Sequence, residues 1–369
     1  MRQQRSLAYR SVAALGCGSL LFLAGQLLFG LLMDTQVQQL RDPEFGFKLR
    51  RLRSFLRRHP GRPLILAIGS SHTEMGLRPD AMPRCRLPDG REPVLFNAAM
   101  NGHGRITGPL HELLVLDRLL RDGVRPDWVV AEIMPSALVF GDLRAEEVQA
   151  GRLSWRDLQY LRTYCADGAQ LYGAWCSERA LPCYSHRFTV LTLLAPSLLP
   201  PGNGLESTWQ GVDHSGWRPF PHADLEPSVR KIFLERARAE HAGALGSLHV
   251  SPASDRFVHE LIAVCRQRGT PLTLFLAPEG DVFRSWYTAA GWAKLNDYLQ
   301  NLRQETGIVI TDARTWRPES DFFDSHHLAV AGATAFSERF GREVIVPFVR
   351  GELSPNFSSQ ANLQSVHLQ

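Results

Sequence analysis

Residues 63–72 read Pro63-Leu64-Ile65-Leu66-Ala67-Ile68-Gly69-Ser70-Ser71-His72, and the fold follows from how that run is read. An unbroken apolar run with no polar alternation predicts a short strand buried on both faces, and such strands belong to parallel sheets. Pro60 and Gly61 separate it from the preceding helix, and Gly69 with two serines ends it. Outward from this strand the same rhythm repeats. Val94 to Asn97 is a strand, Gly108 to Arg121 a helix and Trp128 to Ile133 a strand. Near the other end come a helix from Ala253 to Arg268, a strand from Leu272 to Ala277 and a helix from Ala289 to Glu305. A strand from Ile308 to Asp312 and a helix from Ala331 to Arg339 follow. Strands separated by helical lengths predict an α/β domain with an open, doubly wound parallel sheet, over residues 60–140 and 249–350.

Residues 141–248 break the rhythm and are expected as an insertion or cap, helical near Glu146 to Tyr164 and Pro227 to Ala244. Within it, residues 208–220 (TWQGVDHSGWRPF) can present Trp209, Asp213, His214 and Trp217 to a substrate, although turn chemistry alone accounts for the glycines and prolines. From Gly351 onward, residues 351–369 have little to bury and are expected to be flexible.

Val12 to Met33 holds 22 residues without a charge. As a helix it spans about 33 Å, against about 30 Å for a bilayer core. Arg2, Arg5 and Arg10 precede it and Asp34 follows, so residues 1–11 are expected in the cytoplasm, 12–33 as a transmembrane anchor and the remainder outside. A cleaved signal peptide is the competing reading, disfavoured by the length of the run. Residues 34–59 are expected as a linker carrying a basic amphipathic helix from Glu44 to Arg58, with Leu49, Leu52 and Leu56 at helical spacing. Its reading is a helix packed on the domain with a solvated arginine face; contact with lipid headgroups is the alternative.

The 41 basic and 37 acidic side chains of the 369-residue chain leave a net charge of +4. With no zinc-finger spacing and no aromatic-basic RNA motif, a nucleic-acid partner is not expected. Five cysteines, Cys85, Cys165, Cys176, Cys183 and Cys265, lie beyond the anchor, where disulfides persist. A pairing within Cys165, Cys176 and Cys183 is allowed, and no Cys-x-x-Cys supports redox or structural zinc.

Reactive groups in open α/β sheets gather at the carboxyl ends of the strands, where Ser71 stands. A serine needs a base, ordinarily a histidine held by a carboxylate. Asp324-Ser325-His326-His327-Leu328 supplies both late in the chain. Residues three apart in a turn can face one another, so Asp324 can hold one ring nitrogen of His327 while the other reaches Ser71. Backbone N–H groups of Asn97 to Gly102, after the second strand, can form an oxyanion hole, with Asn101, Gly102 and the Ser71 N–H as donors. His72, His103, Asp324, His326 and His327 can converge on one pocket, but no ligand spacing such as His-Glu-x-x-His occurs. No metal and no cofactor is expected.

Gly69-Ser70-Ser71, Asn97 through Gly102 and Asp324-x-x-His327, in that order, resemble the first, second and fifth blocks of the SGNH/GDSL hydrolase superfamily. The resemblance implies Ser71 as nucleophile, Gly102 as oxyanion donor and Asp324 and His327 as the rest of a triad. Two departures stand beside it. Ser70 replaces the usual aspartate, and Glu132-Ile133-Met134-Pro135-Ser136 occupies the place of the Gly-x-Asn-Asp block, leaving one oxyanion donor unassigned. With the N-terminal anchor, the pattern looks more like the extracytoplasmic SGNH-like proteins of cell-surface acylation, of DltD and AlgJ/AlgX type. That resemblance implies a periplasmic O-acyltransferase or esterase acting on acylated cell-surface polysaccharide, working alongside a membrane-bound O-acyltransferase, with 141–248 excluding water. A noncatalytic SGNH-fold protein that binds polysaccharide or scaffolds a modification assembly is the alternative.

Overall fold

The computed structural model describes residues 2–101, 106–199, 211–220 and 227–353. Five strands form one sheet: β1 (Leu64–Ile68), β2 (Val94–Asn97), β3 (Trp128–Glu132), β4 (Leu272–Leu276) and β5 (Val309–Asp312). All pairings are parallel and the order is β2-β1-β3-β4-β5. Every residue of β1 is buried, as expected for a strand covered on both faces. Ile65, Ala67, Val130 and Phe275 share a core with Phe336 and Phe340 of the helix Val330–Phe340. Leu64, Leu66, Ile68, Val129 and Ala131, of opposite parity, are buried as well. The helices Pro109–Arg121 and Pro252–Gln267 pack on one another and on β1 and β4. The order reverses direction at β1. Its register sets Ala67 opposite both Asn97 of β2 and Val130 of β3, so the chain leaving β1 enters the crevice where such sheets bind ligands.

The chain divides into two units, Met1–Phe47 with Arg144–Ser207, and Lys48–Leu143 with Thr208–Gln369. The sheet lies in the second. The division falls inside the expected insertion, so residues 208–248 group with the sheet and 144–207 with the N-terminus. The sheet unit also takes in the helix Pro43–Arg58 from Lys48 onward. There Leu49, Leu52 and Phe55 are buried, with the Phe55 ring 5.5 Å from that of Phe96, while Arg53, Arg57 and Arg58 are exposed. This is the packed arrangement with a solvated arginine face, with Phe55 in the place the spacing gave to Leu56.

In the other unit the helix Arg2–Thr35 contains a stretch, Arg10–Thr35, long and apolar enough to cross a membrane. Leu20, Leu21, Leu27 and Leu28 on it are exposed. At its end Asp34 is paired with Arg41 at 2.5 Å and with Arg179 at 2.9 Å. Gln26 Oε1 accepts a hydrogen bond from the Cys183 N–H at 3.2 Å. The helix expected from Glu146 to Tyr164 is shorter: two single 3₁₀ turns precede an α-helix confined to Trp155–Leu161, opened by a capping box of Ser154 and Asp157. Glycine at position 151 and the Ser154 cap account for the late start. All six cysteines are free, so the pairing allowed for Cys165, Cys176 and Cys183 is not formed; the Cys165 thiol donates to Asp167 instead.

Candidate active site

Ser70 caps the six-residue helix Ser71–Gly76 that follows β1, its hydroxyl accepting from the His72 N–H at 3.1 Å. That puts Ser71 in the first turn. Three residues on, the Glu74 carboxylate is fully buried between Lys48 at 3.0 Å and Arg218 at 2.5 Å. Burial alone would raise its pKa, but the two cations outweigh that and hold it below the ordinary carboxylate range. At the other end of the helix the buried Asn97 amide donates to the carbonyls of Thr73 at 2.8 Å and Leu77 at 2.7 Å. Both anchors fix the direction in which Ser71 points.

A third anchor comes from the end of β3. Glu132 is 1% exposed and accepts from the Ser70 N–H (2.8 Å), the Ser70 hydroxyl (2.9 Å) and the Thr73 hydroxyl (2.6 Å). Burial raises its pKa, and these hydrogen bonds offset part of the rise. Gly69 is required here, because a Cβ would stand 2.5 Å from Thr73 Oγ1 and 2.6 Å from Glu132 Oε2. Glu132 thus ties the end of β3 to the serine loop. The sequence signal for this role is a carboxylate closing an apolar strand, Trp128-Val129-Val130-Ala131-Glu132. Glu112 lies nearby with neither carboxyl oxygen hydrogen-bonded among the described residues; burial, then the charge of Glu132, raises its pKa well above the ordinary range.

The partners of Ser71 come from the loop between β5 and the last helix. His327 Nε2 lies 2.8 Å from Ser71 Oγ, and His327 Nδ1 lies 2.8 Å from Asp324 Oδ2. The His327 N–H also donates to Asp324 Oδ1 at 2.7 Å. For Asp324 burial works upward, but His327 and His326 outweigh it and lower its pKa, keeping it ionised. For His327 burial lowers the pKa and Asp324 counters, leaving it below the usual histidine value. The loop is bent by Ser325, the one non-glycine residue with positive φ (68°) among those described. Its hydroxyl donates to Glu319 at 2.8 Å and accepts from the Phe283 N–H at 2.9 Å, which holds the bend.

His326 is buried, not a surface residue. Its ring lies 5.0 Å from that of His72, 5.2 Å from His241 and 3.9 Å from His327, and it stacks on Phe283 at 5.4 Å. His241 Nδ1 pairs with the Ser136 hydroxyl at 3.0 Å. Burial drives the pKa of His241 down to about 3 and that of His72 well below the usual value. On the other side of His327 stands an apolar group of Phe220, Phe323 and Met75, with the Phe220 ring 5.5 Å from the imidazole.

The remaining expected residues are placed differently. Trp217 is buried and its indole N–H donates to the Met75 carbonyl at 2.7 Å. Asp213 Oδ1 accepts from the N–H groups of Ser215 and Trp217, closing a turn whose Ser215 carbonyl accepts from the Asn97 N–H. Trp217 and the Asp213 Oδ1 atom are thus engaged in holding this turn. His214 is exposed, 3.5 Å from Asp80. Asn101 is exposed at the end of the described segment. Gly102, His103, Trp209 and the tail beyond Leu353 lie outside the described residues.

A family model for an uncharacterised domain matches residues 231–349, which carry His241, Asp324, His326 and His327. Comparison with curated proteins and with solved structures gives no match.

Proposed function

We propose that this chain is an SGNH-like serine O-acyltransferase or esterase that acts on acylated cell-surface polysaccharide, anchored by its N-terminal helix with the catalytic unit outside the cytoplasmic membrane. The observation that carries the reading is the continuous chain Asp324, His327, Ser71, with both bonds at 2.8 Å. The strand order, that of the flavodoxin-like doubly wound sheet, and the position of Ser71 after β1 support the same class. The Ser71 hydroxyl gives its proton to His327 Nε2 as Oγ attacks the acyl carbonyl, and Asp324 steadies the imidazolium. His327 then returns the proton to the leaving oxygen, leaving an acyl-serine. A sugar hydroxyl, or water, attacks in turn, its proton passing through His327. The Ser71 N–H, which the first helical turn leaves without an intrahelical partner, donates to the developing oxyanion, and the sequence-based candidates for the other donors are Asn101 and Gly102. Phe220, Phe323 and Met75 beside His327 offer an apolar wall for the acyl group. The acyl donor would come from a membrane-bound O-acyltransferase.

One observation favours the noncatalytic alternative of a polysaccharide-binding scaffold: β3 ends in Glu132, an acceptor spent on Ser70 and Thr73, and the residues after it carry no Gly-x-Asn-Asp sequence to supply a third oxyanion donor. The two readings part on a single experiment. The full chain in detergent, given an activated acetyl ester, should gain an acetyl mass on Ser71 and release the leaving group. Ser71→Ala should abolish both, and His327→Ala should slow acylation by about 10³-fold. Equal behaviour of all three folded proteins leaves the scaffold.

A further inference from the structure

The histidine cluster is larger than a triad requires. His72, His326 and His327 bring one ring nitrogen each within 4.8 Å of one another. Each ring also has a carboxylate oxygen near its Nδ1. His72 Nδ1 faces Glu132 at 3.4 Å, His326 Nδ1 faces Asp324 at 3.1 Å, and His327 Nδ1 faces Asp324 at 2.8 Å. A proton on Nδ1 satisfies those acceptors and leaves Nε2 as the lone-pair nitrogen on each ring. Carboxylate behind imidazole is the outer arrangement that fixes tautomer and raises basicity in metal sites. We infer that His72, His326 and His327 form a binding site for a borderline divalent cation of the zinc class, with the fourth position open toward Ser71.

Three neutral imidazoles plus one exchangeable position is a common coordination set for such an ion. Metal–nitrogen distances of about 2.0–2.1 Å place tetrahedral nitrogens about 3.3 Å apart, so the rings close by at most about 1.5 Å on binding. His327, the most accessible of the three side chains at 13% exposure, gives the ion its way in. Because Ser71 Oγ lies 2.8 Å from His327 Nε2, the ion and the serine proton compete for one lone pair. The metal-bound chain is therefore unable to acylate Ser71, and removal of the ion restores it. The site itself depends on the three rings and their carboxylates, not on acylation.

The test uses the untagged full chain in detergent, stripped with a chelator, then titrated with Zn²⁺ by calorimetry and with Co²⁺ by visible absorption. One ion per chain is expected, with the intense visible bands of four-coordinate Co²⁺ in the wild type, a readout that needs no variant. His326→Gln should abolish uptake, Glu132→Gln should weaken it about 10–100-fold, and Ser71→Ala should retain it. Zn²⁺ should suppress acetylation of Ser71 in proportion to occupancy. A chain that binds one Co²⁺ tetrahedrally yet never acylates supports the metal site while removing the serine reading. Absence of stoichiometric uptake, a six-coordinate spectrum, a thiolate charge-transfer band, or unchanged affinity in His326→Gln overturns the site.

Discussion

Gly69 is the residue on which the serine loop turns, and it is also the easiest to test. Adding one methyl places it against Thr73 Oγ1 and the Glu132 carboxylate, neither of which has room to retreat from a buried network. Gly69→Ala should destabilise the chain by about 2–3 kcal/mol in urea unfolding and slow acetylation of Ser71 in the protein that remains folded. Removing the acceptor instead leaves the Ser70 N–H and the Ser70 and Thr73 hydroxyls without their partner. Glu132→Ala should therefore lower stability by about 2–4 kcal/mol and slow acetylation per folded molecule, whereas a purely structural role would change only the first. The pairing of Asp324 with His327 was legible because a three-residue spacing constrains a turn locally, and Ser71 because it follows a buried apolar strand. His241 and the burial of His326 were not, since both depend on where the helix Pro227–Gly246 and the Phe283 loop meet the late loop, and no local spacing carries that. Trp217 misled for a related reason: an aromatic in a glycine-rich turn looks exposed until the turn is seen lying on Asn97.

Elements were easier to read than their ends. Strands β1 to β5 fall within a residue or two of the hydrophobic runs, because burial on both faces leaves few alternatives to an apolar string. The insertion resisted, since two 3₁₀ turns and a short capped helix share one helical composition. What joins β4 to β5 at their carboxyl ends is a buried polar cluster that the strand pattern does not announce. Arg314 is fully buried, bonded to Asp312 at 2.9 and 2.6 Å and lying 3.8 Å over the Trp292 ring. Glu279 accepts from the Tyr287 hydroxyl at 2.7 Å, and burial raises its pKa to about 7 despite Arg314. A carboxyl group raised from 4.5 to about 7 keeps its proton in the folded chain while the unfolded chain releases it. Its contribution to stability is complete below pH 4.5 and is lost as pH rises through about 7. That loss amounts to about 3 kcal/mol. Glu279→Gln, which mimics the protonated form, should gain about that much on the wild type between pH 4.5 and pH 8, read from urea midpoints at both values. A parallel pH dependence in the two proteins would show that Glu279 titrates normally.

At the scale of the whole molecule, composition and the N-terminal run made a helix long and apolar enough to cross a membrane legible, but not the second group of residues that belongs with it. Residues 144–207 group with the N-terminal helix, and Cys183 meets that helix at Gln26, well inside the stretch long enough to cross a membrane. Arg57 is exposed on the sheet unit, so a cysteine placed there reports on which side of the membrane that unit lies. If arginines before the helix hold the N-terminus in the cytoplasm, a chain whose one cysteine is engineered at Arg57 should react in intact cells with a thiol reagent that cannot cross the inner membrane. A chain retaining only an engineered cysteine at Arg5 should react after lysis alone. The opposite pattern would put the sheet unit, and with it Ser71, in the cytoplasm. There no surface polysaccharide is within reach, and the acylation reading would lose its substrate while keeping its triad geometry.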